Sequence, residues 1–380
     1  MDVVVLGGGI VGLSAAHQAS RPGHRVTIVD ADLAGRATDA GAGIVNPLDL
    51  TGDRSAAERQ RVALSAARHY RDLLAQLAED GATDHGYAEV GQIAVATDDA
   101  GAAVLDRLAD RLSDVDPPDL SDYLGPVRRL TAAQTREAVP YAGAVAGAVL
   151  LPGIARVDGR KLSESLTAVL RRRGVRWLRG SGRVVASDGA VAGVEVGDER
   201  IGADGVIVAA GAWLASTGCP GWLAAAVRPV RGQIVHLHHP HQRDGRTPIL
   251  SSVGGPYILG FPADRVVTGA THEDVGFDYR TTAGGVADVL AAALRVAPGL
   301  ADASPLETRV GFRPVSRDGL PILGPVPELA GAVVATGLGA HGLTLGPAAG
   351  TLAARIASGL DAGHDIAALR PDRFAPGTDS

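Results

Sequence analysis

A glycine loop that joins the first predicted strand to the first predicted helix constrains this chain more than any other feature. Residues 2–6 are rich in valine, and Gly7, Gly9 and Gly12 follow them with the spacing GxGxxG. In this pattern the first glycine makes the tight turn, the second lets a pyrophosphate approach the backbone, and the third lets the helix pack on the strand. The amides at the start of the helix predicted for residues 10–19 would then face the phosphates.

An acidic residue after the second predicted strand, residues 25–29, supports this interpretation. Asp30 lies 18 positions after Gly12, near the offset of about 20 residues at which a carboxylate accepts hydrogen bonds from an adenosine ribose. A carboxylate at this place would repel a 2′-phosphate, which disfavours NADP. The first thirty residues are therefore predicted to hold the ADP half of a dinucleotide.

Composition and charge exclude several classes of function. The chain has 380 residues, of which 46% are hydrophobic, and this length suits two domains. The net charge of −6 and the pI near 6.0 give no basic field for nucleic acid or anionic lipid. Lys161 is the one lysine and reads as exposed, which excludes pyridoxal phosphate. Cys219 is the one cysteine, so we expect no intrachain disulfide and no cysteine metal cluster, and no metal-binding residue is predicted.

Nothing in the sequence reads as a secretion signal or an integral membrane segment. The apolar N-terminus carries Asp2 in place of a basic region, and no later apolar run reaches the roughly 18 residues that span a bilayer. With a single cysteine, this pattern predicts a cytoplasmic protein.

The order of elements indicates two domains of different type. Residues 206–213 and 332–336 read as buried parallel strands, whereas 229–278 reads as an antiparallel sheet. A loop is predicted at residues 114–125 and a loosely ordered tail from residue 370. Helices are predicted at residues 56–78, 99–113, 159–173, 283–296 and 346–359. The predicted fold class is α/β (α+β two-domain), with a nucleotide domain built from three separated segments and a second domain formed mostly by an antiparallel β-sheet.

A second glycine-rich loop, residues 337–342, precedes the last predicted helix. Gly337, Gly339 and Gly342 would let a ligand approach the backbone, and the helix dipole would stabilise an anionic group there. The N1/C2=O edge of a reduced flavin is such a group. An ordinary connection between strand and helix is the alternative that these residues leave open.

Together these segments resemble the D-amino-acid oxidase superfamily of FAD-dependent oxidoreductases, in particular its branch of glycine oxidases, sarcosine oxidases and D-amino-acid dehydrogenases. The resemblance covers nearly the whole chain. It is carried by the first thirty residues and by residues 36–44 (RATDAGAGI), 208–213 (VAAGAW), 228–233 (RPVRGQ), 269–271 (GAT), 311–314 (GFRP), 318–321 (DGLP) and 336–342 (TGLGAHG).

The resemblance implies a Rossmann-like FAD-binding domain in discontinuous segments and a β-sheet substrate domain over the flavin. We place the FAD-binding domain at residues 1–80, 150–215 and 310–365. The substrate domain would comprise residues 81–149 and 216–309, and residues 366–380 would form a tail. Because no cysteine follows the Arg313 segment, where sarcosine oxidases attach their flavin, noncovalent FAD is predicted.

The resemblance also implies which residues hold the cofactor. Asp30 would bind the adenosine ribose, residues 36–38 would lie along the pyrophosphate, and Val184 would meet the adenine through its backbone. Residues 42–44 would approach the isoalloxazine ring, and residues 339–344 would lie at its pyrimidine edge. The predicted cofactor-binding residues are Gly7, Gly9, Ile10, Val11, Gly12, Asp30, Ala31, Arg36, Ala37, Thr38, Ala42, Gly43, Ile44, Val184, Ala210, Gly211, Trp213, Arg313, Gly339, Gly342, Leu343 and Thr344.

Three residues are predicted to contact the substrate. Arg313 matches the arginine that binds the substrate carboxylate in this branch, and its planar fork suits a bidentate contact. Tyr257 matches a tyrosine that hydrogen-bonds the same carboxylate, and His341 would be an additional polar contact. Simple packing is the alternative for the tyrosine, and a structural hydrogen bond is the alternative for the histidine.

The implied reaction is oxidation of the CH–NH bond of an amino acid or N-substituted amino acid by hydride transfer to flavin N5. The resulting imine would hydrolyse to an oxo acid, and O2 or another acceptor would take the electrons. Val267 stands where sarcosine oxidases have their oxygen-activating lysine, which weakens the oxidase interpretation. Leu338, Ala340 and His341 depart from the family pattern, so the substrate of glycine oxidase is not transferred.

Three other functions stay open at this point. One is an FAD-dependent 2-hydroxy-acid dehydrogenase, which would need a base for the hydroxyl proton. The second is an FAD-bearing subunit that works only inside a hetero-oligomer. The third is a biosynthetic oxidase that acts on an unusual or carrier-bound amine. The oligomeric state is left open as well.

Overall fold

The computed structural model describes residues 1–48, 56–113, 118–240, 244–363 and 365–377. Its helices are α1 (Ile10–Ser20), α2 (Ala37–Ala40), α3 (Ala56–Glu79), α4 (Asp99–Ser113), α5 (Pro118–Leu124), α6 (Ala132–Ala138), α7 (Gly159–Arg172), α8 (Gly221–Ala224), α9 (Ala283–Val296) and α10 (Gly342–Ala357). Short 3-10 helices lie at Gly211–Ser216, Pro298–Leu300, Gly339–His341, Ala367–Leu369 and Pro371–Phe374.

The strands of these residues form two large and two small sheets. They are β1 (Asp2–Leu6), β2 (Arg25–Asp30), β3 (Ile44–Val45), β4 (Ala88–Glu89), β5 (Gln92–Ala96), β6 (Arg128–Arg129), β7 (Gly147–Leu151), β8 (Ala155–Arg156), β9 (Arg176–Arg179), β10 (Gly182–Ser187), β11 (Ala190–Val196), β12 (Glu199–Ile201), β13 (Gly205–Val208), β14 (Val227–His238), β15 (Ile249–Ser252), β16 (Tyr257–Phe261), β17 (Arg265–Gly269), β18 (Ser304–Ser316), β19 (Ile322–Pro325) and β20 (Ala332–Thr336).

The first large sheet carries the glycine loop and has the strand order β19-β20-β13-β1-β2-β9. Five of its strands are parallel, and β19 is an antiparallel edge strand. Val3 and Val5 face a layer that includes α1, α3, α7 and α10, whereas Val4 and Leu6 face the small sheet β10-β11-β12. Burial on both faces explains why these strands read as continuous apolar runs.

The second large sheet has the order β18-β14-β17-β16-β15-β5-β7-β6. All its neighbours pair antiparallel except β15 and β5. Helix α9 covers one face, and α4 and α5 pack against the other. The predicted α/β fold class with a mostly antiparallel second sheet is confirmed, while the exact domain bounds stay a prediction.

The paired strands β14 and β18 connect the second sheet to the first. The amide of Phe312 on β18 donates to the carbonyl of Gly35 at 2.9 Å. Isolated bridges also join Phe312 to Arg36 and Val315 to Leu338. The segment GFRP is therefore held between two loops that belong to the nucleotide side of the molecule.

The predicted loop at residues 114–125 is wrong in part. Residues 118–124 of the predicted loop form α5, because Leu120 and Leu124 are four residues apart and both are buried. Proline is tolerated at the first position of a helix, where its missing amide costs little. Residues 114–117 of that loop lie outside the described residues.

The predicted loose tail is also wrong for residues 370–377. Leu369, just before it, is buried, and Arg373 donates to Asp318 at 2.7 Å and to the carbonyls of Leu320 and Pro321. Residues 378–380 lie outside the description. The last helix, α10, begins at Gly342 instead of residue 346, which places Pro347 inside it.

Among the helices that the structure describes, none combines the length and the apolar character needed to cross a bilayer.

Candidate functional site

A continuous cavity lies between the two large sheets and is lined by residues from both glycine loops. The first wall comes from the β1–α1 loop, where the amide of Gly7 donates to the carbonyl of Val29 at 2.8 Å. A methyl group built on Gly12 would be 1.9 Å from the carbonyl oxygen of Gly7. One built on Gly9 would meet only Thr38 Oγ1, at 3.3 Å. Gly12 therefore serves the packing of α1, whereas a methyl group on Gly9 would press only on the Thr38 hydroxyl.

The side chain of Thr38 makes a hydrogen bond at the start of α1. Its Oγ1 accepts a hydrogen bond from the amide of Ile10 at 3.0 Å, and this bond is buried. This side chain therefore takes up one of the amides expected to face the phosphates.

Asp30 lines the cavity and already has a partner. Its Oδ2 accepts a hydrogen bond from Arg36 at 2.8 Å, and Arg36 also donates to Asp39 at 3.0 Å and lies 3.5 Å from Asp32. Burial acts to lower the pKa of Arg36, but Asp39 and Asp30 outweigh it and the net pKa is raised. The guanidinium thus stays charged and fixes the position of Asp30.

The second wall comes from the ends of β13 and β20. Ala210, Gly211 and Trp213 follow β13 and line the cavity, as do Gly339, Gly342 and Leu343 after β20. Thr336 Oγ1 donates to the carbonyl of Gly211 at 2.9 Å and joins the two segments. Trp213 stacks on Phe277 with ring centroids 5.3 Å apart, and Phe312 packs edge-on against both rings.

The third wall belongs to the antiparallel sheet and contributes Arg313 and Tyr257. The Nη1 of Arg313 donates to the carbonyl of Thr271 at 3.0 Å. In the part of the chain that the structure describes, no carboxylate pairs with Arg313, whereas its neighbour Arg231 pairs with Glu273 and Asp278. Burial lowers the pKa of Arg313 from its ordinary value, which is far above neutrality. Arg313 is therefore a charged fork at the cavity wall that is available to an external carboxylate.

Tyr257 lies on the strand β16 next to this arginine. Burial raises the pKa of its hydroxyl to about 12, although the charge of Arg313 acts in the opposite direction. At neutral pH the hydroxyl is protonated and can donate a hydrogen bond to the same ligand as Arg313.

Most of the predicted cofactor residues line this cavity. They are Gly7, Gly9, Ile10, Val11, Asp30, Ala31, Arg36, Ala37, Thr38, Ala42, Gly43, Ile44, Ala210, Gly211, Trp213, Arg313, Gly339, Gly342 and Leu343. Residues separated by hundreds of positions in sequence thus meet around one space.

Four predicted residues do not line the cavity. Gly12 packs beneath the loop, and the amide of Val184 donates to the carbonyl of Thr217 at 2.8 Å. Thr344 Oγ1 donates to the carbonyl of Ile44 at 3.1 Å, so its role is to hold the loop. His341 is an exposed residue just before α10, away from the lining. The adenine contact of Val184 and the substrate contact of His341 therefore stay predictions.

Several lining residues were missed by sequence reasoning. Gly180, Ser181 and Gly182, between β9 and β10, join the lining, and so do Ser216 and Thr217. The signal for the first group was a pair of glycines between two strands, directly after the strand that pairs with Asp30.

The lining fits an ADP-containing cofactor with a flat ring system. Two glycine loops open the backbone to phosphates and to a ring edge, and the only carboxylate among the described lining residues is Asp30, fixed by Arg36. Cys219 does not line the cavity. In the described ranges, no cluster of His, Cys, Asp or Glu side chains is arranged to hold a metal ion.

Comparison with known proteins gives a family. Residues 2–356 match the family model described as "DAO: FAD dependent oxidoreductase". The chain is 31% identical over 388 residues to a glycine oxidase of Pseudomonas aeruginosa, with 97% of this chain and 98% of the relative covered.

Two solved structures are similar over almost their whole length. One is iminodiacetate oxidase (IdaA) from Chelativorans sp. BNC1, with 39% identity, a TM-score of 0.87, and 97% and 98% of the two chains covered. The other is glycine oxidase from Geobacillus kaustophilus, with 27% identity, a TM-score of 0.84, and 98% of each chain covered.

Proposed function

Because the chain belongs to the DAO family of FAD-dependent oxidoreductases, we propose that it oxidises the CH–NH bond of a small amino acid or N-substituted amino acid. The observation that carries this proposal is Arg313. Its half-buried guanidinium lies at the cavity wall and has no carboxylate partner among the described residues. The similar proteins are named for iminodiacetate and glycine, both of which are small amines that carry carboxylate groups.

FAD, when bound, supplies the acceptor for the two electrons of the reaction. The residues proposed to hold it are those of the two glycine loops, Asp30 with Arg36, and residues 42–44. In this arrangement the first turn of α10 would lie at the pyrimidine edge of the flavin, where the helix dipole would favour negative charge. Noncovalent attachment is consistent with Cys219 lying away from the lining.

Arg313 and Tyr257 are proposed to orient the substrate. The two N–H groups of the guanidinium suit both oxygens of a carboxylate, and the protonated tyrosine hydroxyl adds a donor. A substrate held in this way would present its amine carbon to the flavin in a fixed geometry, which is the main catalytic contribution of such a site.

The lining also favours an amine over a 2-hydroxy acid. Apart from Asp30, which Arg36 occupies, the described lining residues include no histidine, lysine, aspartate or glutamate. A hydroxyl proton needs a base, whereas an amine can bind in its neutral form and needs none. The alternative of a 2-hydroxy-acid dehydrogenase therefore lacks its base in the part of the cavity that is described.

Anaerobic reduction of the bound flavin tests the substrate class. The holoenzyme should be bleached by amino acids or N-substituted amino acids, and 2-hydroxy acids of matching size should leave it oxidised. Bleaching by the hydroxy acids alone would overturn the proposal. Reoxidation in air then tests O2 as the electron acceptor, since fast reoxidation indicates an oxidase and slow reoxidation indicates a dehydrogenase.

Substitution of Arg313 tests the carboxylate contact. Loss of a charge-assisted hydrogen bond costs about 1.5–3 kcal/mol, so Arg313→Ala should raise KM for carboxylate substrates by roughly tenfold or more. Arg228→Ala is the matched control, because Arg228 lies on β14 and its exposed side chain pairs with Asp274. An unchanged KM in Arg313→Ala would remove the assignment.

A further inference from the structure

Helix α10 contains a proline that leaves a gap in its hydrogen bonding. Pro347 is the sixth residue of the helix Gly342–Ala357 and is buried. Proline has no amide hydrogen, so the carbonyl four residues earlier loses its regular partner in the helix. That carbonyl belongs to Leu343, whose side chain lines the cavity.

A side chain from another helix fills this gap. The hydroxyl of Tyr70, on α3, donates a buried hydrogen bond of 2.5 Å to the carbonyl of Leu343. Tyr70 is fully buried, and its ring stacks on Tyr87 with centroids 5.1 Å apart. Burial raises the pKa of Tyr70 well above its ordinary value, so the hydroxyl keeps its proton and remains a donor.

The residues around this bond join the helix start to the loop of residues 41–46. Thr344 Oγ1 donates to the carbonyl of Ile44 at 3.1 Å and accepts from the amide of Asn46 at 3.3 Å. The Leu343 side chain lies so close to Gly41 that a methyl group built there would be 2.8 Å from it. A shift of the Leu343 carbonyl would therefore move the helix start and its cavity-lining side chain together.

We propose that Tyr70 is a positioning residue that fixes the first turn of α10 and thereby sets the reduction potential of the bound FAD. The inference rests on the proposed placement of the flavin's pyrimidine edge at residues 339–344. Negative charge gained on reduction is stabilised by the N-terminal end of a helix, and this effect falls off within one turn. Without the tyrosine hydroxyl, the Leu343 carbonyl would be left buried without that donor, and the turn would relax away from its position.

The test is the midpoint potential of the bound FAD, measured anaerobically against a reference dye with no substrate present. Tyr70→Phe should shift the potential to a more negative value. The expected change is about fivefold in the equilibrium constant for reduction, or roughly 20 mV for a two-electron couple. Tyr87→Phe is the matched control, because it removes the hydroxyl of the stacked neighbour, and it should leave the potential unchanged.

A second substitution separates positioning from general destabilisation. Pro347→Ala returns an amide to the helix opposite the Leu343 carbonyl, so the double variant Tyr70→Phe/Pro347→Ala should regain the original potential. An unchanged potential in Tyr70→Phe, or a double variant that stays shifted, overturns the proposal. If Tyr70→Phe alone loses FAD during purification, recovery of FAD content in the double variant supports the proposal and its absence overturns it. Failure of the proposed substrate class would appear in the reduction screen, which does not enter this measurement.

Discussion

The guanidinium group of Arg313 lies against the α-carbon of Gly232, so that a methyl group built on Gly232 would be 2.6 Å from both terminal nitrogens of the arginine. The two residues stand on the neighbouring strands β14 and β18, where Gly232 is opposite Gly311. The carbonyl of Thr271 accepts a hydrogen bond from the same guanidinium. The absence of a side chain at position 232 therefore decides where the arginine fork lies.

Replacement of this glycine should act as a mild loss of Arg313. Gly232→Ala should raise KM for carboxylate substrates by about threefold, less than Arg313→Ala does, because the displaced fork loses only part of a charge-assisted contact. Gly202→Ala is the control, since nothing lies within 4 Å of a methyl group built there. Steady-state kinetics of both variants would decide the matter, and equal KM values would contradict this account.

The two glycines of the first loop should separate cofactor binding from folding. In Gly12→Ala the new methyl group meets the Gly7 carbonyl at 1.9 Å, so the apoprotein should lose about 2 kcal/mol or more of stability. In Gly9→Ala the new methyl group meets only Thr38 Oγ1, at 3.3 Å, so the apoprotein should lose much less stability than in Gly12→Ala and should lose affinity for FAD. Urea unfolding of the apoproteins and FAD titration would show the split. The prediction fails if the two variants behave alike in both measurements.

Two buried histidines predict the acid sensitivity of the fold. Burial and the charge of Arg173 lower the pKa of His17 to about 4, and burial with the charge of Arg309 lowers the pKa of His236 to about 3. In the unfolded chain both titrate near pH 6.5, so below that pH the unfolded state binds protons that the folded state does not. The contribution of these histidines to the free energy of unfolding is fully present above pH 6.5. As the pH decreases, the free energy of unfolding should fall by up to about 1.4 kcal/mol per pH unit for each histidine.

The window between pH 6.5 and 4.5 isolates these histidines from the carboxylates. The pKa of Glu273 is lowered from its ordinary value of 4.5 to about 2, chiefly by the hydrogen bond from Arg231. Protonation of Glu273 therefore reduces the stability of the fold only below pH 4.5. Chemical unfolding of the protein at several pH values would give the slope. His17→Gln should reduce it by one histidine's share, and a stability that is flat across the window would rule the explanation out.

Local chemistry explains what the sequence could predict. The first strand, the glycine loop and Asp30 follow from residues within thirty positions, and the loop at Gly339 and Gly342 follows from its own glycines. Helix α9 was predicted with its observed bounds, Ala283–Val296, because its apolar spacing is regular.

Contacts between distant segments explain what the sequence could not predict. The amide of Val184 donates a hydrogen bond to the carbonyl of Thr217, and the carbonyl of Leu343 accepts one from the hydroxyl of Tyr70, 273 positions away. No local pattern encodes either partner. Helix α5 is a different case. The acidic and proline residues around Leu120 and Leu124 are typical of a loop, and two apolar residues are too few to indicate a buried helix face.

The two isolated β-bridges on either side of Arg313 have a mechanical consequence. Phe312 is joined to Arg36, and Val315 to Leu338, so the arginine sits on a strand clamped to the nucleotide side at both of its flanks. The two sheets cannot hinge apart without breaking these backbone contacts. Arg313 and the residues that line the cavity beside it would therefore move together, and entry and exit of small molecules would depend on the loops around the cavity.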